Sequence, residues 1–259
     1  NKALTQTLME AADLVVVTGS QNNVRRAYSS GTPAIGVGAG NVSVIIDSGA
    51  DLKDAADKIT QSKIFDNATS CSSENALIIL EDVYDAALEA LKDAGGYLAT
   101  AEEKDKIQAT LWVGGHLNRK VIAKDAAVFA AEAGLSGDAD GAAFFMVEDD
   151  NPGPDKPFCD EKLSLVLTIY RASDFDDAMA QVDTIMDVCG RGHSVGIHTD
   201  DMDHARRLAE DLDTVRVLVN QAHTFGNGGS FTNGLEFTLS MGCGTWAGNS
   251  ISENLNYRH

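Results

Sequence analysis

Basic residues are scarce in this sequence. Lysine and arginine number 20 against 39 aspartates and glutamates, a formal charge of −19 over 259 residues. That is the wrong sign for a surface that must neutralise phosphates along a duplex, so nucleic acid is not an expected partner. Long hydrophobic runs are missing too. The longest, such as Ala76 to Leu80 or Leu163 to Ile169, fall well short of the roughly 20 residues that span a bilayer, so no membrane segment or signal peptide is read. The four cysteines, Cys71, Cys159, Cys189 and Cys243, show neither CxxC spacing nor neighbours placed like zinc ligands. No metal is expected, and the pattern points to reduced thiols and a cytoplasmic protein. The chain starts at Asn1, not at a methionine, in what reads as mid-helix, so a piece of something longer is expected.

What is present is ordinary globular material, 44% hydrophobic and 23% charged, with four prolines and with glycines clustered at the joins. Apolar runs alternate with amphipathic stretches, which predicts an α/β fold. Expected strands are Leu14–Thr18, Ala34–Val37, Val42–Ile46, Ala76–Leu80, Phe144–Val147, Leu165–Tyr170, Ser194–His198 and Val215–Val219, most of them apolar enough to be buried on both faces. Expected crossover helices are Asp51–Ile64, Val83–Ala94, Ala101–Trp112, Asp174–Val188 and Met202–Leu212. Glycine, aspartate and proline in Gly134–Pro157 suggest a surface loop. From Gly226 to Gly248 recurrent glycines suggest irregular backbone lining a site.

The sharpest local feature is the polar stretch from Phe65 to Asn75, with Cys71 in its middle, running into the strand at Ala76. By composition this thiol is either a nucleophile or an incidental loop cysteine, since backbone donors or a helix end are needed to activate it. Upstream, Val15 to Ser20 reads as a strand, a tight turn and a helix start, a geometry that brings backbone N–H groups to a phosphate or ribose. Between them, Gly36 to Asn41 is a glycine-dense exit from a short strand, either a tight turn or a place where something approaches the backbone closely.

Taken together these residues resemble the aldehyde dehydrogenase superfamily, and within it the CoA-acylating branch, including acylating sulfoacetaldehyde dehydrogenases and the acylating half of bifunctional aldehyde-alcohol dehydrogenases. The match runs in order through Val17-Thr18-Gly19-Ser20, Ala27 to Pro33, Gly36 to Asn41, Lys63 to Asn67, Cys71, Pro157-Phe158, Glu161 to Ser164, Gly192-His193 and Gly242 to Asn254. The resemblance implies an aldehyde dehydrogenase-like catalytic domain joined to the C-terminal part of a Rossmann-like cofactor domain. Residues 1–38 would end the cofactor domain, 39–240 form the catalytic domain, and 241–259 return toward the cofactor side.

The same resemblance implies Cys71 as the nucleophile, forming a thiohemiacetal and then a thioester as hydride leaves for NAD or NADP, with coenzyme A as the acceptor and a small aldehyde as the substrate. Its own backbone N–H would steady the oxyanion. His193 would assist proton transfer at the CoA sulfur, although a histidine before a strand can also be purely structural. Thr18, Gly19, Ser20, Gly38 and Gly244 would meet the cofactor, with Glu161 on the nicotinamide ribose unless it is simply a solvated charge. Asn67 would face the substrate, and Arg191 would favour an anionic one such as sulfoacetaldehyde. Gly36 stands where hydrolytic relatives carry a glutamate that activates water, so a glutamate placed there would be expected to open a hydrolytic leak. A homo-oligomer is expected. Two other readings stay open: a hydrolytic aldehyde dehydrogenase, against which Gly36 argues, and a structural or filament-forming module of a bifunctional relative.

Overall fold

The computed structural model describes residues 2–259. It opens with helix α1 (Lys2–Ala11), strand β1 (Val15–Thr18), helix α2 (Gln21–Tyr28) and strand β2 (Ala34–Val37). β1 and β2 pair in parallel as a sheet of their own. Met9, Val15 and Ala27 close a small core beneath it. Leu4, Leu8 and Val16 in this unit are exposed.

After Gly38–Asn41 the chain enters a second, larger sheet. Its elements are β3 (Val42–Ile46), α3 (Leu52–Ile64), β4 (Glu74–Leu80), α4 (Tyr84–Asp93), β5 (Gly96–Leu98) and α5 (Ala101–Leu111), followed by the hairpin β6 (Trp112–Val113) and β7 (His116–Leu117). Then come α6 (Ala126–Ala133), β8 (Phe144–Glu148), β9 (Val166–Ala172), α7 (Phe175–Val188), β10 (Val195–His198), α8 (Met202–Asp211), β11 (Val217–Val219) and the short α9 (His223–Asn227). Seven strands lie in the order β11-β10-β3-β4-β9-β8-β5, every pairing parallel. Parallel strands need crossovers, which place helices on both faces and bury the strands completely. Alternation shows it directly: Val44, Ile46, Leu77 and Ile79 pack with α3 and α4 on one face, while Ile45, Ile78 and Ile197 meet Val182, Ile185 and Leu208 of α7 and α8 on the other.

Helix starts follow their caps. Asp51, Asp174 and Asp201 each accept a backbone N–H in the first turn of α3, α7 and α8, and Thr100 with Glu103 forms a capping box on α5. The expected α/β class is the one observed, and the expected strands Ala34–Val37 and Val42–Ile46 match to the residue. Others shift at their ends. β4 begins at Glu74, because two polar residues, Glu74 and Asn75, are buried at its mouth and not part of the preceding loop. α6 gives no sequence signal, since Ala126–Ala133 is apolar on nearly every side and carries no helical period. Within Gly134–Pro157 the chain makes a short 3₁₀ turn at Gly137–Gly141 and then β8.

In a parallel sheet all amino ends share one edge. Cys71 precedes β4, Glu161 precedes β9, His193 precedes β10, and Gly38–Asn41 precede β3. These four strands are adjacent, so four segments distant in sequence converge on one rim.

Candidate active site

Close backbone approaches fix that rim. A side chain on Gly40 would put its Cβ 2.1 Å from the Cys71 carbonyl oxygen, and one on Gly190 would sit 2.6 Å from the Asn41 nitrogen. Gly192 lies equally tight against the Cys243 carbonyl, at 2.1 Å, in a backbone with φ near +87°. Only glycine tolerates such contacts. The loop before β3 therefore joins the Cys71 loop on one side and the residues 190–193 turn on the other.

The Cys71 loop begins where α3 ends. Asp66, Asn67 and Ala68 are all left-handed, with φ of 49°, 51° and 58°, a run that costs roughly 1–2 kcal/mol per residue and persists only if surroundings hold it. They do: the Asn67 amide donates to Asp125 Oδ1 at 2.8 Å and to the Ala123 carbonyl at 3.4 Å, and Ala68 is buried. Asn67 thus shapes the loop with a side chain that is already engaged. Beyond Cys71, the Ser72 hydroxyl accepts from the Asn227 amide at 2.8 Å and reaches the Met241 sulfur at 3.3 Å, tying the loop to the return segment.

Burial, then the negative field of Glu161 and of Cys243, pushes the Cys71 thiol up to about 11, opposed by its own N–H and the Ser72 hydroxyl. Cys189 is pushed up to about 12, and Cys159 and Cys243 are buried with raised values. Because the thiolate is the reacting species, alkylation of Cys71 by iodoacetamide is expected to accelerate about tenfold per pH unit between pH 7 and 10, with no plateau, and to precede that of the other three. Glu161→Gln should speed it severalfold at pH 8 by deleting the charge that most opposes the thiolate. Peptide mapping checks both; first labelling at Cys159 or Cys189 would overturn the ranking.

Glu161 itself is driven up to about 7, by burial first and Asp160 second. Its side chain makes no hydrogen bond among the described residues, although Lys162 beside it is fully buried and donates to the Phe158 carbonyl at 2.7 Å and the Asp160 carbonyl at 3.0 Å. An unpaired acceptor on the rim fits ribose hydroxyls. Deeper, Lys63 donates to the Glu74 carbonyl at 2.8 Å, and Glu74 accepts from the Ser62 hydroxyl at 2.6 Å. Burial pushes both toward neutrality, Lys63 down and Glu74 up.

His193 is buried, and its Nδ1 lies 2.7 Å from the Ser194 hydroxyl, with Nε2 unpartnered among the described residues. Burial, then the Arg216 guanidinium, holds it down at about 3, so the ring is neutral at any ordinary pH. Arg216 donates to the His193 carbonyl at 3.2 Å, the Gly242 carbonyl at 2.7 Å, the Ser252 carbonyl at 3.3 Å and Asn254 Oδ1 at 2.9 Å, and pairs with no carboxylate among the described residues.

The residues expected to meet the cofactor lie on the two-stranded sheet and the return segment. Thr18 closes β1, its hydroxyl 3.4 Å from that of Ser240; Gly19 turns the chain at φ +140°, and Ser20 caps α2 without a side-chain hydrogen bond among the described residues, so its hydroxyl and the N–H groups of Gln21 and Asn22 can meet an anion. Asn249 Oδ1 accepts from the Gly38 N–H at 3.2 Å and the Cys243 N–H at 2.9 Å. Gly244, at φ +67°, starts the turn that Asn249 closes through a 2.9 Å bond to the Gly244 carbonyl. The donors at Ser20, unpaired among the described residues, and the Glu161 carboxylate suit a nicotinamide dinucleotide, while the Asn249 bridge holds the backbone of Gly38 and Gly244 in place.

Two expectations change. Arg191 is not free for an anionic substrate: its guanidinium is held by Asp183 at 2.9 Å, Asp213 at 3.1 Å and also Asp187, braced against the end of α7. Gly36 has no open space beside it, since a Cβ there would meet Val24 Cγ1 at 2.6 Å and Tyr28 Oη at 2.8 Å. The Tyr28 hydroxyl accepts from the N–H groups of Gly36 at 3.1 Å and Ser250 at 3.0 Å. Sequence reasoning gives no role to Ser194, His223, Arg216, Asn249 or Tyr28, although Tyr28 and Asn249 fall inside the matched motifs. For Ser194 and Arg216 the available signal is a polar residue set just before an apolar strand.

The model of the aldehyde dehydrogenase family matches residues 2–235. The chain is 52% identical over its whole length to the sulfoacetaldehyde dehydrogenase (acylating) of Cupriavidus necator, covering 52% of that protein. It is 45% identical to the protein of the same name from Bilophila wadsworthia, covering 56% of it. The crystal structure of an acetylating aldehyde dehydrogenase from Geobacillus thermoglucosidasius superposes over 100% of this chain and 57% of that one, with a TM-score of 0.96 at 36% identity. The chain spans about half the length of the curated relatives it matches.

Proposed function

The chain belongs to the aldehyde dehydrogenase family, and from that premise we propose that it carries the thiol chemistry of a CoA-acylating, NAD(P)-linked oxidoreductase whose substrate is sulfoacetaldehyde. The two relatives at 52% and 45% identity support the substrate and the acylating reaction. The observation that carries the acylating outcome is Gly36: it supplies no base, and Tyr28 and Val24 fill the space one would need.

Cys71 sulfur, as thiolate, adds to the aldehyde carbon while its backbone N–H steadies the oxyanion. Hydride acceptance is the chemistry a nicotinamide bound there would supply. Glu161 and the Gly38–Asn249–Gly244 bridge would hold the nicotinamide, together with the turn at Thr18–Ser20. Cys71 is then left as a thioester. His193 Nε2 takes the proton from the CoA thiol, whose sulfur attacks the acyl carbon; the bond to Cys71 breaks and the proton passes to the released sulfur. A ring held at about 3 is always a free base, so this step is expected to show no histidine titration between pH 5 and 8. In the same reading residues 1–38 end a cofactor domain, 39–240 make the catalytic domain and 241–259 return, supported by the two separate sheets and the Asn249 bridge.

The test is product analysis by mass spectrometry with the full-length enzyme, CoA and paired aldehydes. Sulfoacetyl-CoA should form with a higher kcat/KM than acetyl-CoA. A preference for acetaldehyde overturns the substrate, and absence of any acyl-CoA overturns the reaction.

A further inference from the structure

The proposed chemistry uses His193 but leaves its surroundings without a role. His193 Nδ1 sits 2.7 Å from Ser194 Oγ, and Ser194 Oγ sits 2.9 Å from His223 Nε2. One hydroxyl thus bridges two imidazoles. All three residues are buried, and the two outer nitrogens, His193 Nε2 and His223 Nδ1, have no partner among the described residues. A hydroxyl carries a single proton, so it donates to one ring and accepts from the other. The chain therefore has two directions, and each leaves one orphan N–H, at His193 or at His223. Neither direction is favoured by hydrogen-bond count, so a group arriving at His193 Nε2 selects it.

We propose that Ser194 and His223 are positioning residues that form, with His193, a two-imidazole proton relay for acyl transfer to CoA, an inference that rests on the acylating reading above. With Nδ1–H of His193 donating to Ser194 and the Ser194 O–H donating to His223 Nε2, His193 Nε2 offers a lone pair. The CoA thiol gives its proton to that nitrogen. His193 Nδ1–H passes to Ser194 Oγ, and the Ser194 proton passes to His223 Nε2. The CoA sulfur bonds to the acyl carbon, the bond from that carbon to Cys71 breaks, and the proton returns along the same chain to the Cys71 sulfur. No charge is gained or lost overall.

Both rings are weak bases, so neither retains the proton. Burial and then the Arg216 guanidinium, which bonds the His193 carbonyl, hold His193 down at about 3. Burial, then His193, His198 and Arg216, hold His223 at about 3 as well, and its backbone N–H bonds Glu74 Oε1 at 3.3 Å. The proton therefore moves along the chain in concert with thioester exchange. His223 reaches this place because α9 follows β11, the neighbour of β10, and because Gly196 of β10 has no side chain: a Cβ there would fall 2.8 Å from His223 Nδ1.

The test uses the full-length enzyme with Ser194→Ala and His223→Phe, whose thermal unfolding is measured alongside. The burst of reduced cofactor, which reports acylation of Cys71, and the subsequent single-turnover transfer to CoA are followed separately. Both variants should keep the burst rate within about twofold and slow the CoA transfer at least tenfold. The double variant should be no slower than the slower single one, because one chain is broken in either case. An unchanged transfer in either variant, or equal slowing of burst and transfer, overturns the relay. Ser194→Ala removes one oxygen atom, so it remains informative if His223→Phe does not fold. If the unsubstituted enzyme forms no acyl-CoA at all, the acylating reading fails and the relay with it, an outcome distinct from the others.

Discussion

Supplied with aldehyde and NAD(P) but no CoA, the full-length enzyme is expected to release about one equivalent of reduced cofactor per Cys71 and then stop, with turnover resuming when CoA is added. The thioester on Cys71 is intrinsically open to water, and a positioned base accelerates such a step by roughly 10²–10⁴-fold. No base stands at Gly36. The structure also alters what a substitution there can do. The side chain of a Gly36→Glu variant would run into Val24 Cγ1 and Tyr28 Oη within 3 Å, and Tyr28 is itself fixed by hydrogen bonds from Gly36 and Ser250. Overpacking of this kind costs about 1–3 kcal/mol. Gly36→Glu alone is thus expected to lower stability without opening the leak that the sequence suggests. Sustained formation of free carboxylic acid without CoA by the unsubstituted enzyme, followed by chromatography, would falsify the acylating assignment.

Replacing Arg216 by methionine is expected to destabilise the fold more than the loss of any other arginine in the chain, by about 4 kcal/mol or more, given what each stranded acceptor costs. Arg216 is only 4% exposed and serves four acceptors on two segments: His193 before β10, and Gly242, Ser252 and Asn254 of the return segment. Burial lowers its pKa, and it has no carboxylate partner among the described residues. A buried acceptor left without a donor costs roughly 1–3 kcal/mol, and hydrogen bonds from a charged group are the stronger kind. Methionine fills comparable length but donates nothing, so four acceptors lose their partner together. The return segment should loosen first, since Gly242, Ser252 and Asn254 all belong to it. Arg191→Ala is the control. Its three aspartates lie at the surface, where such pairs contribute about 0–1 kcal/mol each. Urea unfolding midpoints compare the two; similar shifts would show that the Arg216 network carries little of the fold.

The α/β class, the alternation of strands with crossover helices and the polar loop around Cys71 are all legible in the residue order. They are so because they are local: Val42–Ile46 is an unbroken apolar run that only a doubly covered strand explains, and a thiol among Ser, Thr and Asn announces itself within a few residues. Ordered motifs from Thr18 to Asn254 carried the family. The pairings between segments come from packing. His223 meets Ser194 only because β11 lies beside β10, and Arg216 bonds the return segment only because that segment folds back over the rim. Arg191 reads as a free cation near His193 until α7 brings Asp183 and Asp187 against it. Gly36 reads as an empty place until α2 lays Val24 and Tyr28 into it. Residue spacing records periodicity along one element, whereas a hydrogen bond or a steric contact depends on how elements pack, and no pattern in the chain encodes that separately.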